Sequence, residues 1–172
     1  SVSDGTTRFT IDAGKPVHSI ASEGDVVAVG HDHSVTLFSL GSGARTGELS
    51  WAEGEHVRGL AMRNGRLLCA SWTGDRNRVR LFDVRSRASV AVLDGHTDAI
   101  LDVALGEAVG ASASADGTVI LWSPDGTTAM RGKLDHPDEV HTVCVAGDVV
   151  ATGCDDGKVR LWSLVTFARM LT

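Results

Sequence analysis

The seven histidines of this 172-residue chain are its best candidates for chemistry. His31 and His33 flank Asp32. On an extended strand, residues two apart point to the same side, so these two imidazoles could ligate zinc together. A zinc site needs three or four ligands, and none stands close in sequence, so the pair is read as loop surface and no metal is expected. His18 and His141 open comparable apolar segments and are read as repeated features facing a neighbouring sheet. The run Gly41-Ser42-Gly43-Ala44-Arg45-Thr46-Gly47 imitates a dinucleotide-binding loop. Its last gap is too long by one residue, and no helical pattern follows whose N-terminus could receive a pyrophosphate. It is read as a hairpin loop. No Gly-x-Ser-x-Gly elbow, P-loop or His-Glu-x-x-His helix is present. Asp12, Asp25, Asp125, Asp135 and Asp138 fall at turns, where aspartate satisfies backbone amides. The chain is therefore expected to be no enzyme and to need no cofactor.

The elements that would carry these residues follow a repeat. A turn and an apolar strand ending in an aromatic recur as 33–38, 77–82, 117–122 and 157–162. The aromatics Phe38, Phe82, Trp122 and Trp162 stand 44, 40 and 40 residues apart. A period near 40 marks stacked supersecondary units, each unable to bury its own faces. Short Val-, Leu- and Ala-rich runs alternate with Gly, Asp, Asn and Ser turns, and helical signals are nearly absent, which is the all-β pattern. Four strands are expected per unit. In the last they are Val140–Val145, Val149–Cys154, Val159–Ser163 and Phe167–Leu171, with Asp155-Asp156-Gly157 as a tight turn. The second hairpin, Trp72 to Asn77, is longer than its counterparts.

Bulk properties bound the function. The formal net charge of -6 repels phosphate backbones and argues against nucleic acid as a partner. Arg76, Arg78, Arg80, Arg85 and Arg87 are read as a solvated strand face and loop. No apolar run approaches the ~18 residues of a membrane span. Cys69, Cys144 and Cys154 are odd in number, lack CxxC spacing and sit in apolar runs, so they are expected to be buried free thiols. That fits a reducing compartment, the cytoplasm or another intracellular one. The chain opens at Ser1, which suggests a piece trimmed from something longer.

With Gly95-His96 followed by Leu121-Trp122, Asp135-His136 by Leu161-Trp162, and Phe82-Asp83 closing the second unit, the chain resembles the WD-repeat (β-transducin-like) propellers. The resemblance implies an all-β propeller with four four-stranded antiparallel blades in one domain spanning 1–172. The blades would cover about 12–50, 51–93, 94–134 and 135–172, and 8–11 would be an outer strand of a preceding or partner blade. Four blades make either a partial propeller or half of an eight-bladed ring shared by two chains. The resemblance also implies a buried hydrogen-bond tetrad per blade: His96, Ser112, Asp116 and Trp122 in the third, and His136, Thr152, Asp156 and Trp162 in the fourth. In the first blade Ala13, Ala28 and Phe38 replace three members, and in the second Glu53, Ala70 and Phe82 do. Those two blades are expected to be held by packing alone. Trp51 is read as packing between blades.

The expected function is a non-catalytic scaffold for protein or peptide partners. By family position the binding face would carry His31, Asp32, His56, Trp72, Arg76, Thr97, Glu139 and Asp155, with Trp72 the leading contact. One alternative is self-assembly, in which exposed end blades pair two chains into a homodimeric ring or meet neighbouring blades of a longer chain. Another is a small-molecule or enzymatic site in the central channel.

Overall fold

Among the described residues sixteen strands form four separate four-stranded antiparallel sheets, each a meander in chain order. The computed structural model describes residues 10–51, 55–72, 74, 77–127, 130–166 and, for the backbone alone, 169–171. Blade one holds β1 (Ser19–Glu23), β2 (Val26–Gly30), β3 (Ser34–Ser39) and β4 (Arg45–Ser50). Blade two holds β5 (His56–Arg63), β6 (Arg66–Trp72), β7 (Asn77–Asp83) and β8 (Ala88–Leu93). Blade three holds β9 (Ile100–Leu105), β10 (Gly110–Ser114), β11 (Thr118–Trp122) and β12 (Met130–Asp135). Blade four holds β13 (Val140–Ala146), β14 (Val149–Cys154), β15 (Val159–Ser163) and β16 (Arg169–Leu171). The hairpins joining the second and third strands close on Gly117 and Gly157, with φ of 76° and 77°, a region that glycine enters without a Cβ clash. Only part of the expected outer strand at 8–11 falls within the described residues.

The innermost strands β1, β5, β9 and β13 contact one another in succession, so the blades stack as an arc. Three apolar layers fill the joints. Val35, Leu37 and Leu49 meet Val57, Leu60, Leu67 and Phe82 between blades one and two. Val79, Leu81 and Leu93 meet Ile100, Val103 and Trp122 at the second joint. Val119, Leu121 and Leu134 meet Val140, Val143 and Val150 at the third. A strand with a sheet on either side must be apolar on both faces. β10 and β11, in the interior blade three, are accordingly buried at every position. β14, in an end blade, is buried only at alternate residues.

The end blades differ. Blade one's outward flank is partly covered by the chain itself, since Ile11 and Ala13 pack on Val27, Val29 and Phe38. Blade four leaves Val159 and Val165 exposed. Cys69 and Cys154 are buried, but Cys144 lies exposed on β13, against the expectation that all three thiols are interior. All three are free. No helix of the described residues is long and apolar enough to cross a membrane.

Candidate functional site

Antiparallel order puts the start of each innermost strand and the hairpin between the second and third strands at the same rim of the arc. In the innermost strands of blades two to four, a register shift near the entry frees one residue from pairing and turns it toward the rim. The register makes His18, Arg58, Leu101 and His141 equivalent at this position. His18, Arg58 and His141 each face a residue at or just beyond the end of their own second strand. His18 Nε2 lies 2.8 Å from Asp32, and His141 Nε2 lies 2.9 Å from Asp155. In blade two the Arg58 guanidinium lies 5.4 Å from the centre of the Trp72 ring. Leu101 and Ala115 leave blade three apolar there.

At the first joint these groups converge. Asp32 bridges two blades, with His56 Nδ1 at 3.2 Å from the oxygen that His18 also meets. Those two hydrogen bonds, His18's first, hold the Asp32 carboxyl below the usual carboxylate range. His56 stands 5.2 Å from His33 and 6.2 Å from Trp72, ring centre to ring centre. His18, His56, Val57, Arg58 and Trp72 line an open cavity of about 310 Å³. In blade four Glu139, His141 and Asp155 offer donor atoms within 4.8 Å of one another. Among the described residues this is the group compact enough to hold a metal ion, and all three members are exposed.

Behind the rim, each blade is braced by buried polar groups, and the four braces differ. In blade three Trp122 Nε1 donates to Ser112 Oγ at 2.8 Å, and Ser112 Oγ lies 2.8 Å from His96 Nε2. His96 Nδ1 lies 2.9 Å from Asp116 Oδ2. A carboxylate only accepts, so Nδ1 carries the proton, Nε2 accepts from Ser112, and the chain runs in one direction from indole to carboxylate. Burial disfavours the charged imidazole and keeps the His96 pKa below its ordinary value, outweighing the pull of Asp116. Burial also opposes ionisation of Asp116, but bonds from Thr118, the Thr97 amide and His96 outweigh it and keep the carboxyl low.

In blade four Trp162 Nε1 donates to Thr152 Oγ1 at 3.0 Å, and Thr152 reaches His136 Nε2 at 2.8 Å. The chain stops there. His136 Nδ1 donates to the Leu134 carbonyl at 3.2 Å, and Asp156 turns to the Arg160 guanidinium instead. Arg160 occupies the position of Ile120 in blade three, and a charge-assisted two-point pairing outcompetes a neutral imidazole for the carboxylate. Asp156 therefore differs from its expected place in the fourth tetrad.

Blade two corrects the expectation of packing alone. Arg80, also at the Ile120 position, is buried and makes hydrogen bonds of 2.7, 2.9 and 3.1 Å to Glu55, which is 3 % exposed. Ser71 Oγ donates to the same carboxylate at 2.8 Å. Burial opposes ionisation of Glu55, but Arg80 and then Ser71 outweigh it, so its pKa falls. Arg80 is therefore not part of a solvated arginine face but interior, 5.8 Å from the Trp51 ring centre. Trp51 packs on Phe82 at 5.8 Å between ring centres. The register also moves two assignments. Val29 and Cys69, not Ala28 and Ala70, stand where Ser112 and Thr152 stand. Glu53 and Arg76 lie outside the described residues.

The end of each second strand carries a device no spacing revealed. His31 Nδ1 bonds the Pro16 carbonyl, Ser114 Oγ the Asp98 carbonyl, and Cys154 Sγ the Asp138 carbonyl, while Ser71 bonds the Glu55 side chain. Four residues of three kinds thus fasten the loop entering the innermost strand. His31 is consequently buried, not a surface contact. His33 turns to the Glu55 carbonyl at 3.2 Å, so the His31 and His33 rings serve different backbone groups. Asp32, His56 and Trp72 share one patch; Thr97 serves Asp116; Glu139 and Asp155 form the separate blade-four group.

Four-stranded meanders arranged in an arc define a β-propeller, and residues 87–123 and 130–163 match the family "WD domain, G-beta repeat". The chain belongs to the WD-repeat propellers. It is 31% identical over 148 residues to the protein transport protein SEC13 of Mycosarcoma maydis, covering 70% of this chain and 38% of that protein. It is 35% identical over 121 residues to the same-named protein of Yarrowia lipolytica, covering 62% of this chain and 40% of that one. The chain thus spans about two fifths of the length of these relatives. Among solved structures, the computationally designed Ika4 protein superposes with a TM-score of 0.78 at 20% identity, over 89% of this chain and 94% of that one. A chain of the mitotic checkpoint complex superposes with a TM-score of 0.78 at 21% identity, over 92% and 51%. Both likenesses concern the fold.

Proposed function

We propose that this chain is a non-catalytic protein-interaction scaffold that receives a protein or peptide partner on the rim of blades one and two. The cavity walled by Trp72 and Arg58 carries this reading. Tryptophan and arginine dominate binding energy at protein interfaces, because each offers a large contact area with a polar handle. Among the described residues no carboxylate pairs with Arg58, whose guanidinium carbon lies over the indole, 5.4 Å from its centre. A guanidinium without a counter-ion keeps its N–H donors for an incoming carboxylate. The fitting group is therefore an aspartate, glutamate or C-terminal carboxylate beside an apolar residue that packs on the Trp72 ring. The relatives in protein transport support a scaffold in general terms.

The test is fluorescence polarisation with a panel of labelled peptides bearing apolar-acidic pairs and their amide counterparts. Acidic members are expected to bind. Trp72→Ala and Arg58→Gln should each weaken binding by about 30-fold, equivalent to ~2 kcal/mol. Binding that ignores the carboxylate, or that both variants retain in full, would refute this site.

A further inference from the structure

The two open ends of the arc are the two halves of a joint that the chain already builds three times. At each internal joint, one blade offers a small residue from its second strand and two apolar residues from its third. The next blade answers with one apolar residue at the entry of its innermost strand and another three positions on. At the first joint Gly30, Val35 and Leu37 meet Val57 and Leu60. The fit at Gly30 is close, because a Cβ there would lie 2.6 Å from Val57 Cγ1 and 3.3 Å from Leu60 Cδ1. Ala70, Val79 and Leu81 meet Ile100 and Val103 at the second. Ala113, Val119 and Leu121 meet Val140 and Val143 at the third.

The strand register places Gly153, Val159 and Leu161 of blade four in the offering positions. It places Val17 and Ile20 of blade one in the answering positions. Among the described residues nothing covers either surface. Val159 is 70% exposed, whereas Val35, Val79 and Val119 are each 0% exposed. Val17 and Ile20 are 50% and 60% exposed, whereas Val57 and Ile100 are each 1%. The outer part of blade one's flank is already filled, because Ile11 and Ala13 lie on Phe38 much as Leu49 and Trp51 lie with Phe82 in the first joint. What stays open is the inner part, the region that β14 and β15 of another blade four would cover.

We propose that the occupant is a second copy of this chain, docked head to tail. Val17 and Ile20 of one copy enter the Gly153, Val159 and Leu161 surface of the other, and the reciprocal contact closes a two-fold ring of eight blades. The new joint would continue the internal ones, reusing position by position the apolar types that already pack there. Eight blades lie within the range at which propellers close. A head-to-tail contact that closes after two copies leaves neither flank in water.

Sedimentation equilibrium of the 172-residue chain at micromolar concentration tests this. The expected mass is twice the 18.0 kDa of one chain. Val159→Glu and Val17→Glu should each raise the dissociation constant more than about a hundredfold, since a lone carboxylate would be buried in an apolar joint. Far-UV circular dichroism should stay unchanged, both sites being exposed in the separate chain. In a Cys144→Ser background, V17C and G153C chains mixed and oxidised should give a cross-linked pair. Three results would overturn the proposal. They are a single-chain mass for the parent, no cross-link between the mixed V17C and G153C chains, and growth to species larger than two copies.

Discussion

Blades two and three solve one problem with opposite chemistry. Each must fill the space behind its rim and satisfy polar groups there. Blade three uses a neutral relay, Trp122 to Ser112 to His96, that meets charge only at Asp116. Blade two places a full ion pair in the same region, Arg80 with Glu55, and lets Phe82 and Trp51 fill the apolar space. The carboxylates even come from different segments, Asp116 from the hairpin and Glu55 from the entry loop. A repeat thus conserves the volume to be filled and the need for partners, not the residues that meet it.

The largest break should come from the ionic brace. Glu55→Gln leaves the Arg80 guanidinium buried without a counter-charge and should cost about 3–5 kcal/mol in urea unfolding. Replacing both together, Glu55→Leu with Arg80→Met, should recover most of that loss, since desolvation offsets much of the pairing energy. Failure of the double variant to recover would show that the pair contributes more than it costs to bury.

The neutral relay should break more gently. Ser112→Ala strips partners from the buried Trp122 N–H and His96 Nε2 and should cost about 2–4 kcal/mol. Thr152→Ala in blade four should cost about half as much, because Trp162 and His136 are only part-buried and water can replace the hydroxyl. Equal costs would mean that exposure of the end blade does not relax the network. Phe82→Trp should destabilise by about 1–2 kcal/mol, because Trp51 occupies the adjoining space and Cys69 offers no hydroxyl. A gain in melting temperature would contradict that crowding.

The smallest effect separates the braces by pH. Burial holds the His96 and His136 pKa values below those of the unfolded chain. The unfolded state therefore takes up these protons first on acidification. The stability these residues contribute is complete above about pH 6.5 and declines as pH falls through that value toward their folded pKa values. Glu55 and Asp156, with lowered carboxyl pKa values, act only at more acidic pH. His96→Gln should flatten the decline of melting temperature between about pH 6.5 and 5, whereas Glu55→Gln should leave its slope unaltered.

The repeat was legible because its signals are local. Asp-Gly turns, apolar strands and terminal aromatics recur at nearly fixed spacing, and the strands fall within a few residues of expectation. The site was less legible. Arg80 and Arg160 look like solvent-facing members of alternating strands, and only the neighbouring sheet makes their positions interior. A signal existed in the alignment of units, where both arginines stand opposite buried Ile120. Of the rim cluster, Asp32, His56 and Trp72 were placed on one face by family position, but His18 and the contacts among the four were not, because they come from two blades and meet only when those blades stack.

The amino-acid order by itself determined the unit, its four strands and its tight turns, set by hydrogen bonding and hydrophobic periodicity within about forty residues, while the relay of the third blade was implied by the family resemblance. Stacking decided the rest: which arginines lose water, which carboxylate each one finds, which thiol stays exposed and which flanks remain open. Burial belongs to pairs of surfaces. A residue's charge, partner and exposure are therefore settled only when the adjoining blade is in place.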